Sequence, residues 1–329
     1  MTPQKTAGQT SVGVGKRVDQ VIVAVDFSDR SWSVVPLARA VASAWSAAIE
    51  FVHVDTASPW ISASAPGRLQ LRTTHLGRTT EVEVAAGAKV AECIDEVRRS
   101  KPASLVAIAT HGRVGLSELT WGSVTQDLLV GFSAPLLAAG PRFAWPNTGI
   151  DSVTVCLGPG DLRTNLAGDA KLWAGRLGVP LTLLAVAATG ENPRLWERLS
   201  AMATDLSDNT VEVTVGLVES HRPSHAIVRH CEANPGTLLV MSPGGRSRAA
   251  RALLGSVTRE VLRRSPVGLL LLPWPEIVAV PAPRPDADGQ GSAPGETQPV
   301  TACHDEYRTT VVQPALPSEA CHDDYAEWE

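Results

Sequence analysis

Apolar positions recur along this chain in two rhythms. Short runs with an apolar residue at nearly every position, Val21–Val25, Leu105–Ala109, Leu238–Met241 and Val267–Leu272, predict strands covered on both faces. Between them the spacing turns helical. Over Ser31–Ala48 the apolar residues Val34, Leu37, Ala38, Val41 and Trp45 line one face of a helix. In the first half the pattern adds strands Ile49–Val54, Glu81–Val84 and Ala134–Ala138, and helices Lys89–Ser100 and Ser123–Val130. Thr56–Thr80 carries Pro59, Pro66 and Gly67 and reads as an irregular or partly helical excursion. In the second half, strands are expected at Ser152–Leu157, Leu181–Val186 and Val211–Val215. Helices are expected at Leu162–Leu177, Arg194–Leu206, Ser224–Ala233 and Gly255–Arg264.

The two halves share a layout. "VIVAVDFSDR" from Val21 returns in pattern as "VTVCLGPGDL" from Val153. A period this long is a duplicated domain rather than a solenoid. Alternating strands and helices imply parallel sheets with right-handed crossovers. The expected fold is therefore α/β: two tandem doubly wound parallel-sheet domains. The expected boundaries are a disordered N-terminus at 1–17, domain 1 at 18–142, a linker at 143–150, domain 2 at 151–275, and an acidic, Pro-rich disordered tail at 276–329. In such a fold a ligand lies beyond the carboxyl ends of the strands, where the strand order reverses.

Composition narrows the class. An apolar fraction of 44% and a charged fraction of 19% are those of a globular protein. A net charge of −5 argues against wholesale nucleic-acid binding. No apolar run reaches membrane-span length, and the first residues lack a signal-peptide core, so a cytoplasmic location is expected. From Pro275 to Glu329 there are 11 acidic residues and two arginines. That tail holds too little apolar surface to offset chain entropy. Within it "ACHDEY" (302–307) recurs as "ACHDDY" (320–325), which is open to four readings: metal binding, a redox pair, a short interaction motif, or no specific role. Cys93, Cys156 and Cys231 read as small buried or half-buried residues.

The strongest chemical pattern is a pair of glycine stretches. "ATHGRVGLSELTWGSVT" (109–125) and "MSPGGRSRAARALLGSVT" (241–258) each follow a strand and lead into a helix. Gly112 and Gly122 stand ten apart, as do Gly245 and Gly255, and Ser123 and Ser256 follow. A helix start has unpaired N–H groups and partial positive charge. Glycines let that backbone approach an anion, and a serine adds a donor, so the combination suits phosphate. A plain turn and helix cap accounts for the same residues. No Gly-Lys-Ser/Thr follows, and neither stretch is a GxGxxG turn, which disfavours those two nucleotide folds.

These stretches, with "VIVAVDFSDRS" near the start and "GSVT" in both copies, resemble the universal stress protein family over about Arg17–Pro275. ATP-binding members carry Gly-x2-Gly-x9-Gly-Ser/Thr. The resemblance implies an adenine-nucleotide alpha hydrolase-like fold with the two domains packed as a pseudo-dimer through "APLLAAG" and "VGLLLLP". Further association of two chains stays open. It also implies binding of ATP or a related adenine nucleotide, with or without Mg, by Asp26, Val54, Gly112, Arg113, Gly115, Gly122, Ser123 and Val124 in the first half. In the second half it implies Gly245, Arg246, Gly255, Ser256 and Val257. The motif's first glycine is Ala109 in one half and Ser242 in the other, and Gly158 stands where Asp26 has its counterpart. Binding is therefore expected mainly in the first half. Asp26 also has a plain reading as a turn or cap residue.

No catalytic set is evident. His221, His225 and His230 are close, but Pro223 interrupts them, and all three read as surface or cap histidines. The expectation is a cytoplasmic stress-responsive regulator or sensor without efficient catalysis. The alternative is a protein-interaction platform that acts through its paired domains and recruits an unknown protein through the acidic tail.

Overall fold

The computed structural model describes residues 17–55, 67–73, 78–86, 89–101, 103–110, 127–128, 134–158, 161–163, 165–188, 192–242 and 255–272. The expectations for the N-terminus, for most of the helix at 123–130 and for the tail with its repeated motif lie outside these residues. In the first half the strands are β1 (Gln20–Ala24), β2 (Ala48–Asp55), β3 (Gly67–Thr73), β4 (Arg78–Ala86), β5 (Ser104–Ala109) and β6 (Leu136–Ala139). The helices are α1 (Val35–Trp45) and α2 (Val90–Arg99). The second half contributes β7 (Ser152–Cys156), α3 (Leu166–Leu177), β8 (Leu181–Ala187), α4 (Asn192–Leu206), β9 (Val213–Glu219), α5 (Pro223–Ala233), β10 (Thr237–Met241), α6 (Ser256–Arg264) and β11 (Leu269–Leu271).

All eleven strands join one sheet in the order β3-β4-β2-β1-β5-β6-β11-β10-β7-β8-β9. Apart from the antiparallel edge pair β3–β4, each half is a parallel set, and the two sets meet through a second antiparallel pair. Leu136, Leu137 and Ala138 of β6 face Leu271, Leu270 and Leu269 of β11. The pseudo-dimer thus forms within the chain, and the strands that would be edges of separate domains are paired.

The sheet separates two apolar layers. Val21, Val23, Leu105 and Leu270 face a layer with α1, α3 and α4. Ile22, Val106, Leu136, Leu239 and Leu271 face the layer with α2, α5 and α6. Alternate residues of one strand feed opposite layers, which is why these runs are continuously apolar.

Two expectations need correction. The helix expected over Ser31–Ala48 is a 3-10 turn, Ser31–Val34, followed by α1. Pro36 lies in the first turn of α1, where its missing N–H is harmless, and Ser46 ends α1 in the left-handed region at φ 54°. The second correction is larger. The excursion at Thr56–Thr80 contains β3, which pairs antiparallel with β4 from Gly67↔Val84 to Thr73↔Arg78. Leu69 and Leu71 alternate with polar neighbours in "GRLQLRT", a strand signal overridden by the weight given to Pro59, Pro66 and Gly67.

Candidate functional site

The strand order reverses at β1 in the first half, flanked by β2 and β5, and at β7 in the second, flanked by β8 and β10. At these points successive connections leave toward opposite faces and open a crevice beyond the strand ends.

In the first half, Val25 prolongs β1 by donating its N–H to Val52 O at 2.9 Å. Asp26 follows, half-buried. Its Oδ1 accepts from the Ser28 N–H at 3.0 Å and from Ser28 Oγ at 2.6 Å. Ser31 Oγ in turn donates to Ser28 O at 2.8 Å, which locks the turn into the 3-10 helix. Asp26 therefore acts as a turn residue at the crevice mouth. Phe27 has φ 64° and is 38% exposed. Its ring lies 4.3 Å from that of His53, tilted by 33°. His53 Nδ1–H donates to Val25 O at 2.9 Å, which fixes the ring over the β1–β2 seam. Val54 is buried in the layer with Ile22 and Val52, so its side chain serves the core. On the other side of β1, β5 ends at Ala109, and Thr110 donates its N–H to Ala139 O at 2.9 Å. Gly112, Arg113, Gly115, Gly122, Ser123 and Val124 lie outside the described residues.

In the second half, Leu157 donates its N–H to Leu184 O at 2.8 Å, the counterpart of Val25. The Gly158 N–H is then taken by Asp161 Oδ2 at 2.9 Å. So although Gly158 stands where Asp26 has its counterpart in sequence, a carboxylate from three positions on folds back to that strand end. "GPGD" carried the signal, a short acceptor close after a glycine turn. Beside it β10 ends at Met241. The Oγ of the next residue, Ser242, is buried, with no hydrogen-bond partner among the described residues. Ser242 O accepts from Thr258 Oγ1 at 3.5 Å, which ties the first turn of α6 to the end of β10. Gly255 is the N-cap of α6, no side chain caps it, and Ser256 is the first helical residue. Val257 packs partly against the α6 layer. Gly245 and Arg246 lie outside the described residues. An uncapped helix start and an orphaned buried hydroxyl at one strand end are what an oxygen-rich anion would satisfy.

Cys156 and Cys231 are buried in the apolar layer with α5 and α6. Burial pushes the Cys156 thiol well above its ordinary value and the Cys231 thiol up to about 12, so both are neutral core groups. His230 corrects an expectation: it is no surface or cap residue. It is buried, with Nε2 3.2 Å from Thr154 Oγ1, which also lies 2.9 Å from Thr237 Oγ1. Burial lowers its pKa. The helical spacing of Ile227, His230 and Cys231 was the available sign. Among the described residues, no group of three His, Cys, Asp or Glu is arranged to hold a metal, and no helix is long and apolar enough to cross a membrane.

Comparison with known proteins agrees with this fold. The model of the universal stress protein family matches residues 17–139 and 185–273, well over half of the chain. Universal stress protein Slr1230 of Synechocystis sp. is 32% identical over 92 residues, 28% of this chain and 32% of that protein. The match thus spans about a third of that relative's length. A universal stress protein from Archaeoglobus fulgidus shares the fold with a TM-score of 0.56 at 19% identity, over 79% of this chain and 98% of that one. A functionally unknown protein of Pseudomonas aeruginosa superposes with a TM-score of 0.56 at 13% identity, over 80% and 95%. The chain belongs to the universal stress protein family and is a stress-related protein of that class.

Proposed function

We propose that the protein binds ATP or a related adenine nucleotide at the two strand-order reversal points, mainly in the first half, and acts as a cytoplasmic regulator or sensor in the stress response. The observation that carries this reading is the uncapped start of α6 at Gly255–Ser256, tied to the end of β10 beside the orphaned Ser242 hydroxyl. Phosphate oxygens would accept from the free N–H groups and from the hydroxyl. The same sequence, Gly-Ser-Val-Thr, follows β5 in the first half at Gly122–Thr125, where Asp26 adds a carboxylate for hydroxyl or amino donors. Tying of Asp26 Oδ1 by Ser28 favours holding a ligand over abstracting a proton, so efficient turnover is not part of the proposal. Mg would act as a counterion to the phosphates.

Calorimetric titration of ATP into the full chain, with Gly122→Asp and Gly255→Asp alongside, tests the reading. A carboxylate at either position repels phosphate. Wild type is expected to bind, with Gly122→Asp removing most of the heat. Loss split between the variants means two working sites. A folded protein that takes up no ATP would overturn the reading and leave the acidic tail as the place to look for partners.

A further inference from the structure

We infer that Phe27 is a stacking residue for the planar base of the ligand in the first half, so that this site selects an aromatic ring and not merely a phosphate chain. The inference rests on the nucleotide reading above. It adds a residue outside the glycine stretches.

Three observations meet at Phe27. The first is conformational. With φ 64° it occupies a region that bulky residues avoid. A turn serving only to link β1 to the 3-10 helix would take glycine or asparagine there. A strained, bulky residue at a strand-end crest is a pointer to function. The second is exposure. Phe27 is the one large hydrophobic side chain left exposed among the described residues, at 38%. The third is orientation. One side of the ring meets His53 at 4.3 Å. His53 is itself held to Val25 O at 2.9 Å, so the Phe27 ring rests against a group anchored to β1.

Position completes the argument. β1 and β2 are in register with Val23 opposite Phe51 and Ala24 opposite Val52. Continuing that register sets Val25 beside His53 and Asp26 beside Val54. The aromatic pair crowns the seam between these two strand ends, next to the Asp26 carboxylate. Val54 points into the core, so a base approaching here comes from above the strand ends and meets Phe27, which is part exposed. Any nucleobase presents a π-face to such a ring, whatever the pattern of its polar edge.

The test uses the full chain in a Gly255→Asp background, which silences the second half, and compares Phe27→Gly and Phe27→Tyr by ATP calorimetry and thermal melting. Glycine enters the left-handed region freely, so Phe27→Gly should melt no lower than its parent. Its Kd for ATP should rise roughly tenfold, the scale of one lost base stack. Phe27→Tyr keeps the ring and should bind as the parent does. Unchanged affinity in Phe27→Gly, or equal loss in Phe27→Tyr, would overturn the inference and leave the nucleotide reading standing. ATP bound by wild type but not by the Gly255→Asp parent moves the site to the second half; it overturns the inference and the first-half preference but leaves nucleotide binding itself standing. No binding by wild type overturns both.

Discussion

Asp26 and His230 show how much a single side chain's role depends on its neighbours. Asp26 stands at the crevice mouth, yet its Oδ1 already serves the Ser28 turn, so it is structural before any ligand arrives. Asp161 holds the equivalent strand end from a different sequence position. His230 sits on the buried face of α5 against Thr154, where burial lowers its pKa. The unfolded chain takes up a proton near the ordinary histidine value of about 6.5, while the native state refuses it until lower pH. Between those two values the unfolded state binds more protons, so stability falls as pH falls. Denaturant titrations at pH 7.5 and pH 5.5 should show a steeper loss in wild type than in His230→Gln. Equal slopes would mean that His230 stays accessible to a proton in the native state. Phe27 was legible as a residue in the sequence but not as an outlier, because its φ and exposure belong to the folded turn.

At the scale of the element, α6 is the informative helix. Arg263 and Arg264 close its last turn, and Arg263 Nη2 lies 2.7 Å from Glu260, whose carboxyl it holds below the usual range. Basic residues at that end suit the helix dipole. The opposite end has no side-chain cap. Aspartate is a better N-cap than glycine by a few tenths of a kcal/mol, and its charge favours the helix start by about 0.3–1 kcal/mol. Gly255 has φ −58°, which aspartate adopts without strain. Gly255→Asp should therefore raise the melting temperature slightly while it weakens anion binding. A variant that both melts lower and binds less would point to simple disruption. The helices were largely readable from apolar spacing because their buried faces repeat with the helical period. β3 was only partly so: Leu69 and Leu71 alternate with polar residues, but Pro66 and Gly67 beside them read as a break, and the pairing with β4 is a property of two strands.

At the scale of the molecule the two halves share one sheet. They share the β6–β11 ladder, and Trp45 of α1 meets Trp173 of α3 with ring centroids 5.0 Å apart. Close approach between the halves is required at Gly268 and Gly140. A Cβ on Gly268 would lie 2.3 Å from Leu37 Cδ2, the end of a flexible side chain. A Cβ on Gly140 would lie 2.0 Å from Leu262 O, a backbone atom of α6 in the other half. The backbone clash is the costlier one. Gly140→Ala is expected to destabilise by about 2 kcal/mol, as overpacking does. Its unfolding should stay a single transition, with far-UV circular dichroism and tryptophan fluorescence coincident. Two separated transitions would show that the halves unfold independently and that the shared ladder contributes little.

The chain's own pattern determined the α/β class, the duplication, most element positions and the family, because each follows from local periodicity and from motifs a few residues long. The glycine–serine stretches were visible as candidate anion sites for the same reason. The structure bears out the pairing of the halves that the resemblance implied, and only the tertiary structure decided that β3 extends the sheet's edge. The same holds for Asp161 standing at the second strand end, His230 lying in the core, and Phe27 stacked on His53 beside Asp26. Each of these depends on residues or strands brought together across turns or across many positions. Local propensity sets the elements, but strand pairing, burial and the hydrogen bonds at a strand end are fixed only when those elements pack.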